Sequence, residues 1–574
     1  MTPQQRTTFS IRLAALTVAG AGVIGLLSVR LFVLQISQGG YWRDLAESQH
    51  VLAQELLPKR GEVYIQDRDS PNPTLAIANV NRPTLYVVPQ EVQDAKGLAT
   101  KLASQLQLDR NEIQKKIEDQ SRKYVPLVRV LPSEEADRLK AQKLPGVHLE
   151  DQFTRAYPEG ELAAQVLGFF GFDGDERSGR YGIEKFFDKD LTGTPGSVEG
   201  TQDHRGDITT SGQRRVIPAQ DGISLVLTLD RAIQFKAEEV LKRTVQQYEA
   251  KGGSVVVISP KTGAILAMAN YPTFDPNTYG SASDVSVFNN NTVSEPFEPG
   301  SIMKPMTMAG GLEEGVITPD TKFTDPGSVT LENFTIRNSQ NKTYGEVTMT
   351  QVLEESINTG AIFAEQQLGH EKFGKYIEAF GFGSLTGIEL PFESKGNISN
   401  LSRGGSLYAA TISYGQGFTA TPLQLVAAYA AIAAGGEYHE PYIVEERRIS
   451  SGAIEKTKPQ VVRRVISEHA AATLAAMLVS VVERGHGKRA EVPGYFIAGK
   501  TGTAQVAYEN RIGYDPAKTI GSFAGFGPVE DPVFAMIVKI DQPKDVRFAE
   551  VTAAPAFGEI AQFILNYYQV PHSR

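Results

Sequence analysis

The 574-residue chain has no cysteine. Disulfides, thiol catalysis, zinc–cysteine centres and a lipidated N-terminal cysteine are therefore excluded. Histidine is scarce, and the eight present are scattered without metal-ligand spacing, so no metal site is implied. His486, in Arg484-Gly-His-Gly487, reads as an ordinary loop residue. Basic charge is not in excess either: 57 Lys and Arg against 66 Asp and Glu leave a net charge of −9, which gives no support to a nucleic-acid partner. No acidic residue precedes Asp44. What that opening stretch does contain is apolar. From Leu13 to Ile36 it is broken only by Arg30 and a few uncharged polar residues. At about 1.5 Å per helical residue, this run crosses a hydrocarbon core of roughly 30 Å. Arg6 and Arg12 lie before it, so the positive-inside rule puts the N-terminus in the cytoplasm and everything after Ile36 outside. A cleaved signal peptide is the alternative, but Ala19-Gly-Ala21, the nearest imitation of a cleavage site, lies in the middle of the run.

The rest is globular in composition, 41% hydrophobic and 21% charged, and long enough for two or more domains. Residues 37–50 form a polar juncture. Residues 51–220 read as mixed strands and helices: Leu85–Pro89 and Tyr124–Val130 are strand-like, 91–120 is helix-rich, and 173–179 is a polar turn cluster. A fresh domain begins near Asp221. Ile223–Leu229 alternates like a strand, and Asp230 is a good N-cap for a helix running to about residue 250. Ser254–Ser259 and Ala264–Asn270 form a hairpin around Pro260-Lys-Thr-Gly263. Helices are expected after Ser301, around Ser356 and from Pro422 to Ala434. Strands are expected at Tyr495–Ala498 leading into Lys500, at Gly521–Pro528 and at Val533–Ile540, with a last helix over about Ala556–Tyr568. That order implies a sheet between helices, with an active site where strand and helical insert meet.

Three short motifs carry the chemistry: Ser301-Ile-Met-Lys304, Ser356-Ile-Asn358 and Lys500-Thr-Gly-Thr503. A serine hydroxyl needs a nearby base to become a nucleophile at neutral pH. Residues three apart on a helix share a face, so Lys304 reaches Ser301. A lysine acts as a base only when burial or neighbouring positive charge lowers its pKa, and Lys500 is placed to supply that charge. Pro299-Gly300-Ser301 reads as a turn feeding a helix start, where free N–H groups favour developing negative charge. The plainer alternative makes Ser301 a helix cap and Lys304 a solvated charge.

Together and in this order the motifs match the serine acyl-transfer signature of penicillin-binding proteins and class A β-lactamases. With Glu298-Pro-Gly-Ser-Ile-Met-Lys304, Thr421-Pro-Leu-Gln-Leu425 and Gly499-Lys-Thr-Gly-Thr-Ala504, the chain resembles the class B penicillin-binding proteins over nearly its whole length. These are monofunctional peptidoglycan D,D-transpeptidases, and the wording around Ser301 and Thr421 is closest to the division-type (FtsI-like) branch. Arg60-Gly61, Arg155-Ala-Tyr-Pro158, Tyr181-Gly-Ile-Glu184-Lys and Leu191-Thr-Gly193 match the pedestal motifs, although Asp67-Arg68 lies slightly further on than the family usually has it. The resemblance implies an α+β fold: a cytoplasmic tail (1–12), a transmembrane anchor (13–36), an elongated α+β pedestal (37–220) and a transpeptidase domain (221–574). That last domain would have a central antiparallel sheet flanked by helices and an all-helical insert.

The resemblance also implies roles. Ser301 would be the acylated nucleophile, Lys304 its base, Ser356 a proton relay to the leaving D-alanine, Asn358 a holder of a substrate amide and Lys500 a source of positive potential. Thr501 and Thr503 would bind the terminal carboxylate, Gly502 would let the strand lie close to the substrate, and the Ser301 and Thr503 N–H groups would form the oxyanion hole. No cofactor is needed. The implied partners are D-Ala-D-Ala stem peptides, β-lactam antibiotics, the membrane and a multi-spanning glycosyltransferase of the divisome or elongasome. The implied place is the inner membrane, single-pass, with the catalytic domain periplasmic. Alternatives are an elongation-type transpeptidase, a β-lactamase using Glu393 near Asn397 as second base, a β-lactam sensor, or a scaffold.

Overall fold

The computed structural model describes residues 3–42, 51–128, 131–173, 176–201, 215–403, 405–508, 513–546 and 548–574. The chain divides into two compact units, Met1–Lys59 with Thr192–Gly222, and Arg60–Leu191 with Ile223–Arg574.

In the first unit the helix Pro3–Phe32 continues through a wider turn, Val33–Ser37. Its stretch Ile11–Ser37, of mean hydropathy 2.0, is long and apolar enough to cross a membrane. The same unit holds a three-stranded antiparallel sheet, Val51–Leu56, Gly196–Thr201 and Arg215–Ile217 in that order. Positions 43–50 of the expected polar juncture, and 174–175 of the turn cluster, lie outside the described residues.

The second unit joins segments that the sequence reading puts in different domains. Strand Val63–Gln66 runs parallel to Ser224–Asp230 and antiparallel to the long strand Thr74–Val87, which in turn pairs with Val147–Ala156. Residues 60–191 thus pack with the segment that follows residue 222. A buried ionic cluster ties this region. Glu184, fully buried, receives Arg60 Nε at 3.0 Å on one oxygen and Arg155 Nε at 2.7 Å on the other. Arg155 also donates to the Gly61 carbonyl at 2.6 Å, and Arg60 sits 2.8 Å from Asp188. The displaced Asp67-Arg68 docks on the C-terminal helix: Arg68 N donates to the Tyr567 hydroxyl at 3.2 Å.

The five-stranded sheet contains β1 (Gly252–Ile258), β2 (Ile265–Tyr271), β3 (Ala498–Ala507), β4 (Tyr514–Gly527) and β5 (Phe534–Asp541), ordered β2-β1-β5-β4-β3 and antiparallel throughout. Side chains alternate across a strand, so β1 feeds two cores. Val255 and Val257 pack with the helices Arg231–Gln247 and Ala553–Tyr567. Val256 and Ile258 pack on the other face with Pro422–Ala433. That last helix is capped as its sequence requires: Thr421 and Gln424 form a reciprocal capping box with Pro422 in the first turn.

Two local features differ from expectation. The insert is not all-helical, because two antiparallel ribbons accompany its helices: Lys322–Asp325 with Gly345–Thr348, and Ser328–Leu331 with Phe334–Arg337. Tyr495 is in a turn, its N–H bonded to the Val492 carbonyl, and the strand starts only at Ala498. Helices do surround Ser356, which lies between Met349–Glu354 and Asn358–Leu368. β3 is the edge of the sheet and passes the turn Gly300–Met303, which brings strand and insert together.

Candidate active site

Ser301 lies in a single 3₁₀ turn, Gly300–Met303, followed by the helix Lys304–Glu313. In a 3₁₀ turn residues three apart eclipse, so Lys304 points straight back at Ser301. Its Nζ is 2.9 Å from Ser301 Oγ, 3.0 Å from Ser356 Oγ, 2.6 Å from the Ser356 carbonyl and 2.9 Å from Asn358 Oδ1. Ser356 adopts φ +57°, a left-handed conformation that costs a non-glycine residue roughly 1 kcal/mol or more. That turn is what aims both its hydroxyl and its carbonyl at Lys304.

Lys304 is fully buried. Burial, and then the charge of Lys500, hold its pKa well below the ordinary lysine value. An ammonium offers three N–H bonds to four oxygens. A neutral amine offers two and a lone pair to which the Ser301 hydroxyl can donate. Lys500 is also fully buried, with Nζ 3.2 Å from both the carbonyl and the hydroxyl of Thr501. Burial lowers its pKa to about 7, opposed by the charges of Glu550 and Glu355.

Further contacts fix the frame. Asn358 Nδ2 donates to the Arg337 carbonyl at 2.9 Å, tying the helix start to a ribbon. Beneath it the buried Asp325 accepts from Asn338 Nδ2 at 2.9 Å and from the Thr359 hydroxyl at 2.5 Å. Glu298, just before the Ser301 turn, accepts from Tyr514 Oη at 2.9 Å and from Gly417 N at 3.0 Å. Ser301, Ser356, Asn358, Thr501 and Thr503 line one cleft of about 730 Å³.

A family model described as the penicillin binding protein transpeptidase domain matches residues 253–562, and one described as the penicillin-binding protein dimerisation domain matches 55–227. The chain belongs to the penicillin-binding protein transpeptidase family. It is similar to stage V sporulation protein D of Bacillus subtilis, 34% identical over 556 residues, 96% of this chain and 84% of that protein. It is similar to peptidoglycan D,D-transpeptidase FtsI of Escherichia coli, 32% identical over 84% of this chain and 80% of that one. Penicillin binding protein 3 of Mycobacterium tuberculosis complexed with aztreonam superposes with a TM-score of 0.69 at 27% identity, covering 91% of this chain and 98% of that one. This penicillin-binding protein is therefore of class B and FtsI-like, a serine-type transpeptidase with a dimerisation domain ahead of its catalytic domain.

Within the penicillin-binding protein, residues 501, 503 and 505 of β3 face the cleft, which turns Lys500 and Gly502 to the other side. Gly502 thus has a different steric reason from the expected one. A Cβ there would lie 2.6 Å from Ser522 Oγ, 2.8 Å from the Pro299 carbonyl and 2.9 Å from Ile302, so glycine lets the strand close on the Ser301 turn rather than on the substrate. Gly502→Ala should pry the two apart and slow labelling by a fluorescent penicillin about 100-fold. Labelling at the wild-type rate would contradict this.

Glu393 is not among the residues lining the cleft. Its Oε1 accepts from Thr386 N at 2.6 Å and from the Thr386 hydroxyl at 2.7 Å, a bond set internal to its own loop. The cleft holds groups that the sequence reading passed over: His486, Glu355, Glu550, Arg337, Tyr414 and Phe548. Only Glu355, beside Ser356, and the glycine-flanked His486 carried a sequence signal.

Proposed function

We propose that this penicillin-binding protein crosslinks peptidoglycan stem peptides through a serine acyl-enzyme. The observation that carries the reading is the buried Lys304 amine, within 3.0 Å of the hydroxyls of both Ser301 and Ser356 and 2.9 Å from Asn358 Oδ1. Lys304 takes the Ser301 proton as Oγ attacks the penultimate D-Ala carbonyl. Ser356 passes that proton to the nitrogen of the leaving D-alanine, and Asn358 holds a substrate amide. The donor adds along the free edge of β3 like a further strand. There Thr501 and Thr503 hold its terminal carboxylate, Lys500 supplies positive potential, and the N–H groups of Ser301 and Thr503 stabilise the oxyanion. An amine from a neighbouring stem then resolves the ester, giving a 4,3-type crosslink where the wall contains diaminopimelate. β-Lactams imitate the donor and trap Ser301.

In this reading residues 13–36 anchor the protein once in the inner membrane, with residues 1–12 cytoplasmic and the pedestal (37–220) and transpeptidase domain (221–574) periplasmic. Septal synthesis beside a multi-spanning glycosyltransferase is the setting that the FtsI-like affinity supports. Arg30, near the outer end of the apolar helix, is suited to meet a partner helix.

Intact mass of the full-length protein in detergent with benzylpenicillin tests the chemistry. A persistent one-to-one penicilloyl adduct is expected. Consumption of penicillin with return to the unmodified mass would favour a hydrolase, and absence of both would leave only a scaffold.

A further inference from the structure

In the cleft His486 stands between two carboxylates. Its Nδ1 is 2.5 Å from Glu550 Oε1 and its Nε2 is 3.8 Å from Glu355 Oε2. The short contact selects the tautomer with the proton on Nδ1, as a carboxylate does for a catalytic imidazole. The long one exceeds a hydrogen bond, so the Nε2 lone pair keeps room for a third group. The loop is held firmly: His486 N donates to the Glu354 carbonyl at 3.2 Å, and Gly487 N to the Val481 carbonyl at 3.0 Å. A Cβ on Gly485 would lie 2.6 Å from the Glu354 carbonyl oxygen, so this loop is pressed onto the turn that carries Ser356. Besides Glu355 and Glu550, the charges acting here are Lys500 and Arg489, both of which favour the ionised form of Glu550. His486 has no part in the acylation step described above, and Glu355 and Glu550 touch it only through the charge they favour on Lys500.

A count of protons in the second step shows what such a group is for. Acylation is closed: Lys304 takes one proton from Ser301, and Ser356 returns it to the departing amine. The acceptor, however, arrives at neutral pH as an ammonium with three protons on nitrogen. The new amide keeps one. A second reaches Ser301 Oγ when the Lys304–Ser356 relay runs in reverse. The third must leave before the nitrogen has a lone pair, and that relay has no place for it.

We infer that His486, oriented by Glu550 and flanked by Glu355, is the base that deprotonates a primary-ammonium acceptor for aminolysis of the Ser301 acyl-enzyme. The ammonium gives one proton to Nε2, and its freed lone pair attacks the acyl carbon. The C–N bond forms, the C–Oγ bond breaks, and Oγ takes the second proton by way of Ser356 and Lys304. The imidazolium then releases its proton to solvent. The two carboxylates stabilise first the approaching ammonium and then the imidazolium. Imidazole suits this cycle because one ring nitrogen can hold the orienting carboxylate while the other takes and returns the proton.

The inference rests on the transpeptidase reading, and the test separates the two. Full-length protein in detergent is supplied with a benzoyl-D-alanyl thioester as donor and D-alanine as acceptor. The rate of amide formation is divided by the rate of acylation by benzylpenicillin. His486→Gln should lower that ratio about 100-fold, and Glu550→Gln about 10-fold. Free imidazole should restore part of the ratio to His486→Ala. A ratio within threefold of wild type, or a parallel fall of both rates, would overturn the inference while leaving the transpeptidase reading intact. If the wild type forms no acyl-enzyme at all, that reading fails and the inference with it.

Discussion

Lys304→Gln should slow acylation by benzylpenicillin about 10²- to 10⁴-fold, the range over which a positioned base contributes. Glutamine keeps polar contact with Asn358 and the Ser356 carbonyl but cannot take a proton from Ser301. The pH profile carries a second sign. Burial and the charge of Lys500 both favour the neutral form of Lys304, so acylation should rise with pH along a limb well below the ordinary titration range of lysine. Lys500→Gln removes one of the two causes. The Lys304 pKa must then climb, and the limb must move to higher pH, whatever happens to the height of the plateau. Stopped-flow labelling across pH measures both. Lys304→Gln within tenfold of wild type, or a Lys500→Gln limb that stays in place or moves to lower pH, would show that Lys304 is not the base.

Glu184→Ala should destabilise the second unit by about 3–5 kcal/mol, the cost of leaving buried charges without their partner. Both oxygens of Glu184 are engaged, one by Arg60 at 3.0 Å and the other by Arg155 at 2.7 Å, and the carboxylate is fully buried. Its loss strands two guanidinium groups in the interior. Arg60 retains Asp188, and Arg155 retains the Gly61 carbonyl and Asn79, so the variant is weakened rather than unable to fold. Urea unfolding followed by tryptophan-independent circular dichroism gives the measurement. A loss below about 1 kcal/mol would equate the cluster with a surface ion pair.

Where neighbours in the chain decide the conformation, the sequence was readable. Asp230 does cap its helix, accepting from Ala232 N and Ile233 N. The β1–β2 hairpin and the helix from Pro422 fall where apolar runs and turn residues put them. Legibility ended where distant segments decide. Ser356 takes a left-handed φ that turns its hydroxyl and carbonyl onto Lys304, and no local signal marks such a residue. β4 begins as far back as Tyr514, paired with Ala507, well before the strand expected from Gly521. His486 looked bland because its carboxylate partners come from the segments holding Glu355 and Glu550. Gly502 was marked as steric from sequence, but which side it faces became clear only with Pro299 and Ile302 against it.

The middle of the sheet also sets an order of events during biosynthesis. β1 is paired on one side with β2, its neighbour in sequence, and on the other with β5, about 280 residues later, and such distant pairing slows folding. A nascent chain that has already emitted Ser301, Ser356 and Lys500 still lacks the strand that joins the first hairpin to β4 and β3. A product ending at Gly527 would carry every motif residue yet have no continuous sheet on which to hold them. For this protein, premature termination near the C-terminus is as damaging as loss of the nucleophile, and the last strand to leave the ribosome is the one that closes the catalytic scaffold.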